Sequence, residues 1–298
     1  MSKREISKGQ IHTQVSMKPF TSWHIGGEAD RLYWPVNLAD LQQFLKTLPL
    51  DEPLTWIGLG SNVLVSDQGI AGTTIITQGV LKEMTLIAPT RIRAEAGLSC
   101  AQVARFAAKN NLVNGEFLAG IPGTIGGALL MNAGAFGGET WERVSQVETL
   151  DRQGKITLHP ASDFTFGYRH ISGLKEGEWF VAAHFDFTPG DGQDSLAKIK
   201  ALLERRAETQ PTGEPSCGSV FRNPPGDYSA RLIENAGLKG HTIGEAQVSM
   251  KHANFIINIG NATAQDTLAL VRLVQQTVLE KTGITLHPEF KWVGRDSS

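Results

Sequence analysis

Eight residues, Gly120–Ile121–Pro122–Gly123–Thr124–Ile125–Gly126–Gly127, constrain this chain more than any other stretch. Four are glycine and one is proline. Glycine has no Cβ to hold a ligand away, so such a loop brings backbone N–H groups close to a large ligand. A second segment, Gly58–Leu59–Gly60–Ser61–Asn62, has the same character. Two loops of this kind predict an extended, phosphate-bearing cofactor. Ordinary tight turns are the alternative.

The cofactor is not expected on a dinucleotide fingerprint. That motif needs Gly-x-Gly-x-x-Gly at a strand-to-helix turn. Gly58-x-Gly60-x-x-Val63 lacks the third glycine, and Leu64–Val65 follows as a second short strand. No complete Walker sequence and no Gly-x-Ser-x-Gly elbow occur. The 298 residues suffice for one large domain or two to three smaller ones, and 41% apolar content fills real cores. With 28 Lys plus Arg against 30 Asp plus Glu, nothing predicts nucleic-acid binding or a polybasic membrane surface. Two cysteines, Cys100 and Cys217, cannot make a disulfide framework or a thiolate metal cluster. A polar start and the lack of a long apolar run predict a cytoplasmic chain without membrane insertion.

Local patterns predict an α+β organisation. Asn37 with Asp40, and Ser99 with Gln102, read as helix caps. Short strands are expected at 54–58, 73–76, 84–87 and 91–96, then at 144–150, 155–159 and 179–187. Residues 189–192 read as a linker before a helix over 195–208, whose last turn carries Arg205 and Arg206. A strand over 255–259 precedes a long helix capped by Thr263 and Asp266 and ended by Gly283, with Leu268, Val271, Val274 and Val278 as its core stripe.

Three segments carry candidate chemistry. Arg169, beside Tyr168 in a loop between strands, is placed either to grip a carboxylate or to make a surface ion pair. In Ser216–Cys217–Gly218–Ser219–Val220–Phe221–Arg222–Asn223–Pro224, small residues leave Ser219 open to a substrate, while Arg222 and Asn223 suit phosphate or amide groups. A decorated turn is the other reading. Glu289, in Leu286–His287–Pro288–Glu289, is either a buried carboxyl able to share a proton or a solvated acid on a terminal strand. Cys217 is given a packing role. His24 is a candidate for the cofactor site. His170 and His252 have no zinc-type spacing, so no metal is expected.

Together these segments resemble the UDP-N-acetylenolpyruvoylglucosamine reductases, flavoenzymes of bacterial peptidoglycan precursor synthesis. The matching pieces include Thr21–Ser22–Trp23–His24–Ile25–Gly26–Gly27, both glycine loops, Met131–Asn132–Ala133–Gly134–Ala135, Gly167–Tyr168–Arg169, the Ser219 segment, Ser249–Met250–Lys251–His252–Ala253–Asn254–Phe255, and the Glu289 segment. Order and spacing agree over about residues 18–294. The chain is similar to the shorter, second type of the family. Thr124 stands where serine is usual, and Ile171 is an extra residue after His170.

The resemblance implies an FAD-binding region of the vanillyl-alcohol oxidase type in two subdomains, 1–70 and 71–192, and a smaller C-terminal α+β substrate domain, 193–298. It implies FAD as cofactor, held by Gly58, Gly60, Ser61, Asn62, Gly120, Gly123, Thr124, Gly126 and Gly127. It implies NADPH as hydride donor and UDP-N-acetylglucosamine enolpyruvate as substrate, reduced to UDP-N-acetylmuramate. Arg169, Ser219 and Glu289 are the implied catalytic residues, and Tyr168, Arg222 and Asn223 the implied substrate contacts. Lys251 and His252 are weaker candidates for the sugar-nucleotide side. A related oxidase would keep the flavin loops but has little use for Arg169, Ser219 and Glu289 together.

Overall fold

A computed structural model describes residues 6–295. The chain begins with β1 (Ile11–Ser16), β2 (Glu28–Tyr33), α1 (Leu38–Thr47), β3 (Leu54–Ile57), β4 (Val63–Val65) and β5 (Ile70–Ile76). β2 and β3 both pair in parallel with β5, and β1 adds antiparallel at the edge, giving the order β1-β2-β5-β3. α1 starts where its cap predicts, with the Asn37 side chain accepting from Asp40 N. Leu41, Phe44 and Leu45 form its buried face, and Phe44 stacks on Tyr33 at 3.6 Å.

The second unit holds β6 (Met84–Ala88), β7 (Arg91–Glu95), α2 (Cys100–Lys109), β8 (Leu112–Val113), α3 (Ile125–Met131), β9 (Gly134–Ala135) and β10 (Gly138–Glu139). It continues with β11 (Val144–Asp151), β12 (Ile156–Pro160), β13 (Thr165–Gly167), β14 (His170–Ser172), β15 (Glu178–Asp186) and β16 (Thr188–Pro189). Its main sheet is antiparallel, in the order β12-β11-β15-β7-β6. α2 opens on the expected Ser99–Gln102 capping box. Residues of α2 and α3 bury with Val147, Ala183 and Phe185 in one core.

α4 (Gly192–Thr209) starts earlier than the expected Ser195, because the Asp191 carboxylate accepts from Gln193 N and Asp194 N and caps it. Gly192 also touches α2 closely; a Cβ there would lie 2.0 Å from Ala108 O. The expected linker is therefore tied down, with Pro189 paired to Leu112. Ile199 of α4 lies in the core of the second unit. A division at residue 193 separates α4 from the core it packs in.

The remaining elements are α5 (Ser229–Asn235), β17 (Thr242–Ile243), β18 (Ala246–Val248), β19 (Ile256–Asn258), α6 (Ala264–Thr282) and β20 (Lys291–Val293). α6 carries the Thr263–Asp266 capping box and ends at Gly283 in the left-handed region. Leu270, Val271, Val274 and Val278 are buried along it, while Leu268 is only partly buried. This unit is bolted to the first. Trp23, Ile25 and Leu64 lie in its core, Trp23 Nε1 donates to Ile256 O at 2.7 Å, and β20 pairs in parallel with β4. Among the described residues, no helix is long and apolar enough to cross a membrane.

Candidate active site

Both glycine loops face one cavity of about 390 Å³. The 58–62 loop follows β3. The 120–124 loop leads into α3. Gly58, Gly60, Ser61, Asn62, Gly120, Gly123, Thr124 and Gly127 all line the cavity, as do Arg169, Ser219 and Glu289.

The glycines are there for different reasons. A Cβ on Gly60, whose φ is +70°, would lie 2.0 Å from Phe20 O. One on Gly120 would lie 2.3 Å from the Phe136 ring, and one on Gly58 2.3 Å from Thr124 Oγ1. Gly60 needs glycine because backbone crowds it at a left-handed φ, whereas at Gly120 and Gly58 neighbouring side chains would have to give way. Gly123 and Gly127 differ. Among the described residues, the nearest atoms a Cβ there would meet across the fold are Ser61 Oγ at 3.5 Å and Thr124 Oγ1 at 3.8 Å, so the space beside them is open to a ligand. Gly126 does not line the cavity. It faces Ala96, whose Cβ would be 3.1 Å from a Cβ at 126, and its N–H donates to Ala96 O. Its role is to seat α3, since the helix turns it away from the loop's open side.

The charged side of the cavity is assembled from distant parts of the chain. β13 and β14 form a hairpin whose connecting residues are Tyr168 and Arg169, with Gly167 opposite His170. The additional Ile171 pairs with Phe166. Arg169 adopts φ +56°, an uncommon conformation for a large side chain. Its Nε donates to Glu289 Oε1 at 2.7 Å and its Nη2 to Gly134 O at 3.2 Å. The first is a charge-assisted bond, stronger than a neutral one. N–H groups remain on both Nη atoms for another carboxylate.

Glu289 reaches this point because the segment before β20 runs beside the Ser219 segment. Glu289 N donates to Val220 O at 2.7 Å, and Arg222 N to His287 O at 2.9 Å. Asn62 clamps the same strand: its Nδ2 donates to Glu289 O at 3.3 Å, and Lys291 N donates to Asn62 O at 2.9 Å. Val220 N in turn donates to Asn254 O. Ser219 thus lines the cavity next to a residue, Val220, whose backbone is held on both sides. Cys217 is buried, as its packing role requires. Burial, and after it the charge of Glu289, push its thiol well above the usual range.

Six expected contacts lie outside the lining of this cavity. Tyr168 is about half exposed and lies against its neighbour, with the Arg169 guanidinium carbon 4.9 Å from the ring centre. Arg222 and Asn223 do not line the cavity, because the chain turns through Pro224 toward α5; Asn223 Oδ1 accepts from Ser229 N at that helix start. Lys251 reaches Ala207 O. His252 packs edge-on against Phe255 at 4.8 Å, and burial lowers its pKa. His24 lines a neighbouring cavity of about 320 Å³ rather than the main one.

Arg206 lines both cavities. Its position in the last turn of α4 suggests only a helix-dipole partner, yet burial has lowered its pKa, and its Nε donates to Gln210 Oε1 at 3.1 Å. Trp56, Phe136 and Lys291 also line the main cavity. Trp56 stacks on Trp179 at 4.8 Å, and its indole N–H is buried with no partner among the described residues. The open backbone at Gly123 and Gly127 suits a broad ligand laid against these loops.

With the glycine-walled cavity and the mixed α+β units, the similarities to known proteins make the chain a flavin-dependent oxidoreductase. Residues 29–158 match the FAD binding domain family, and residues 210–293 match the C-terminal domain of UDP-N-acetylenolpyruvoylglucosamine reductase. The UDP-N-acetylenolpyruvoylglucosamine reductase of Alkalilimnicola ehrlichii is 54% identical over 297 residues, covering 100% of this chain and 99% of the relative. That of Legionella pneumophila strain Paris is 56% identical, covering 97% and 95%. The crystal structure of UDP-N-acetylenolpyruvylglucosamine reductase from Thermus caldophilus superposes with a TM-score of 0.81 at 29% identity, covering 95% of this chain and 98% of that one. The chain belongs to the UDP-N-acetylenolpyruvoylglucosamine reductase family, and its cofactor is FAD.

Proposed function

We propose that the chain catalyses the NADPH-dependent reduction of UDP-N-acetylglucosamine enolpyruvate to UDP-N-acetylmuramate, a step of peptidoglycan precursor synthesis in the cytoplasm. The observation that carries this reading is the convergence of the Arg169–Glu289 pair and Ser219 on the glycine-walled cavity. NADPH as the donor rests on the family resemblance. When FAD is bound, it supplies hydride acceptance from the donor and hydride delivery to the substrate's double bond. The 58–62 and 120–124 loops, with Gly127, would hold it.

An enolpyruvyl ether accepts hydride poorly. Its carboxylate takes up negative charge only where something stabilises the resulting enolate. Arg169 performs that task with the N–H groups its structural bonds leave over. Fixed donors matter most where charge grows during reaction. Glu289 holds the guanidinium by its Nε edge, which keeps the Nη groups aimed at substrate. Ser219 delivers a proton to the carbon beside the carboxylate. A hydroxyl is a weak acid, so this step demands close placement against a strongly basic carbon. The backbone bonds on Val220 and Glu289 provide that placement.

Stopped-flow absorbance of the two half-reactions tests the assignment. Ser219→Ala leaves flavin reduction by NADPH unchanged and slows reoxidation by the enolpyruvyl substrate by about 10²- to 10⁴-fold. Unchanged reoxidation would remove Ser219 from the proton route. Equal rates and affinities with NADH would overturn the donor assignment.

A further inference from the structure

Asn132 lies between the FAD loop and the arginine hairpin, outside the cavity lining. It is completely buried and ends α3 in the left-handed region, at φ +40°. Its Nδ2 donates both to Gly167 O at 3.0 Å and to Glu139 Oε2 at 2.8 Å. Its Oδ1 accepts from Trp141 N at 3.1 Å. One amide therefore ties three pieces together: the end of the glycine-rich helix, the β9–β10 hairpin and the hairpin that carries Arg169. Gly167 is the last residue before the Tyr168–Arg169 turn. Gly134, whose carbonyl Arg169 grips, lies two residues beyond Asn132.

We infer that Asn132 is a positioning residue for Arg169, setting where the substrate-carboxylate donors lie relative to the flavin cradle. Arg169 sits on a two-residue turn with φ +56°, so small changes at Gly167 are passed directly to its side chain. An amide is required because the site needs a donor toward Gly167 O and Glu139 and an acceptor for Trp141 N. Asparagine also tolerates the left-handed backbone better than most side chains. An aspartate would keep the shape and the acceptor. It would lose both donor bonds and set a second carboxylate against Glu139. A glycine would keep the backbone and lose every side-chain bond. The inference rests on the reading that Arg169 receives the substrate carboxylate.

Two ligands separate positioning from general structural support. UDP-N-acetylglucosamine enolpyruvate carries the carboxylate, whereas UDP-N-acetylglucosamine lacks it. Calorimetric titration of the FAD-loaded Asn132→Gly enzyme should show about tenfold weaker binding of the first, near 1.4 kcal/mol, and unchanged binding of the second. Equal weakening of both would make Asn132 a purely structural residue, and no weakening of either would also overturn the inference. Should Asn132→Gly fail to fold with flavin, the isosteric Asn132→Asp decides by the same pair of titrations. Arg169→Ala, measured in parallel, isolates the underlying reading. If that variant still distinguishes the two ligands as the native enzyme does, the carboxylate assignment has failed. If Arg169→Ala loses the distinction and both Asn132 variants keep it, only the positioning role has failed.

Discussion

Gly60 and Gly123 face the same cavity from different loops, and they are glycine for opposite reasons. Gly60 sits at φ +70° with Phe20 O in the place a Cβ would take. Gly123 has a free side toward the cavity, with Ser61 Oγ as its nearest neighbour, 3.5 Å from a built Cβ. Glycine at 60 lets the protein close on itself, whereas glycine at 123 leaves room for something else. A motif rich in one residue type therefore mixes folding and binding requirements, and only the neighbours sort them.

Substitutions at the two positions can break this distinction. The largest effect is expected at residue 60. Gly60→Ala combines a strained backbone with a backbone collision, and should destabilise even the flavin-free chain by about 2–4 kcal/mol. Thermal unfolding of apoprotein checks this, and an unchanged midpoint would show that the contact with Phe20 yields easily. Next comes Gly123→Val. The apoprotein midpoint should stay within about 1 kcal/mol of the native one, and FAD affinity should fall about 10- to 100-fold, as overpacking of a ligand site does. Fluorescence titration with FAD measures it. Full affinity would place the cofactor away from this loop. The smallest effect belongs to Gly126→Ala. Helix propensity gains what contact with Ala96 loses, so stability should move by less than about 1 kcal/mol with FAD affinity unchanged. A marked loss of FAD alone would return Gly126 to the cofactor wall.

Legibility follows how local the cause is. The starts of α1, α2 and α6 are readable because Asn37, Ser99 and Thr263 bond within their own first turns. The 58–62 and 120–127 loops are readable as ligand loops because glycine density is a local property. The meeting of Arg169 with Glu289 is not, since it depends on β20 joining β4 and on a hairpin from the second unit; the family resemblance implies only that both belong to the catalytic set. Tyr168, Arg222 and Asn223 show the limit of reasoning by adjacency. Each sits beside a residue or segment of the site in sequence, but a two-residue turn or a proline turn sends it elsewhere. Arg206 shows the converse. Its helix-end position explained it too easily, and only the packing of α4 beside the 210–218 segment brings it to the cavity edge.

Electron transfer through one cavity is the core of the proposed function, and an anaerobic absorbance titration tests it directly. The purified FAD-loaded chain is first reduced with NADPH, and UDP-N-acetylglucosamine enolpyruvate is then added without oxygen. Immediate return of the oxidised flavin spectrum, with one equivalent of UDP-N-acetylmuramate formed per flavin, is the predicted result. A spectrum that stays reduced until oxygen is admitted would contradict it, and rapid oxygen reduction with an alcohol donor would then favour an oxidase.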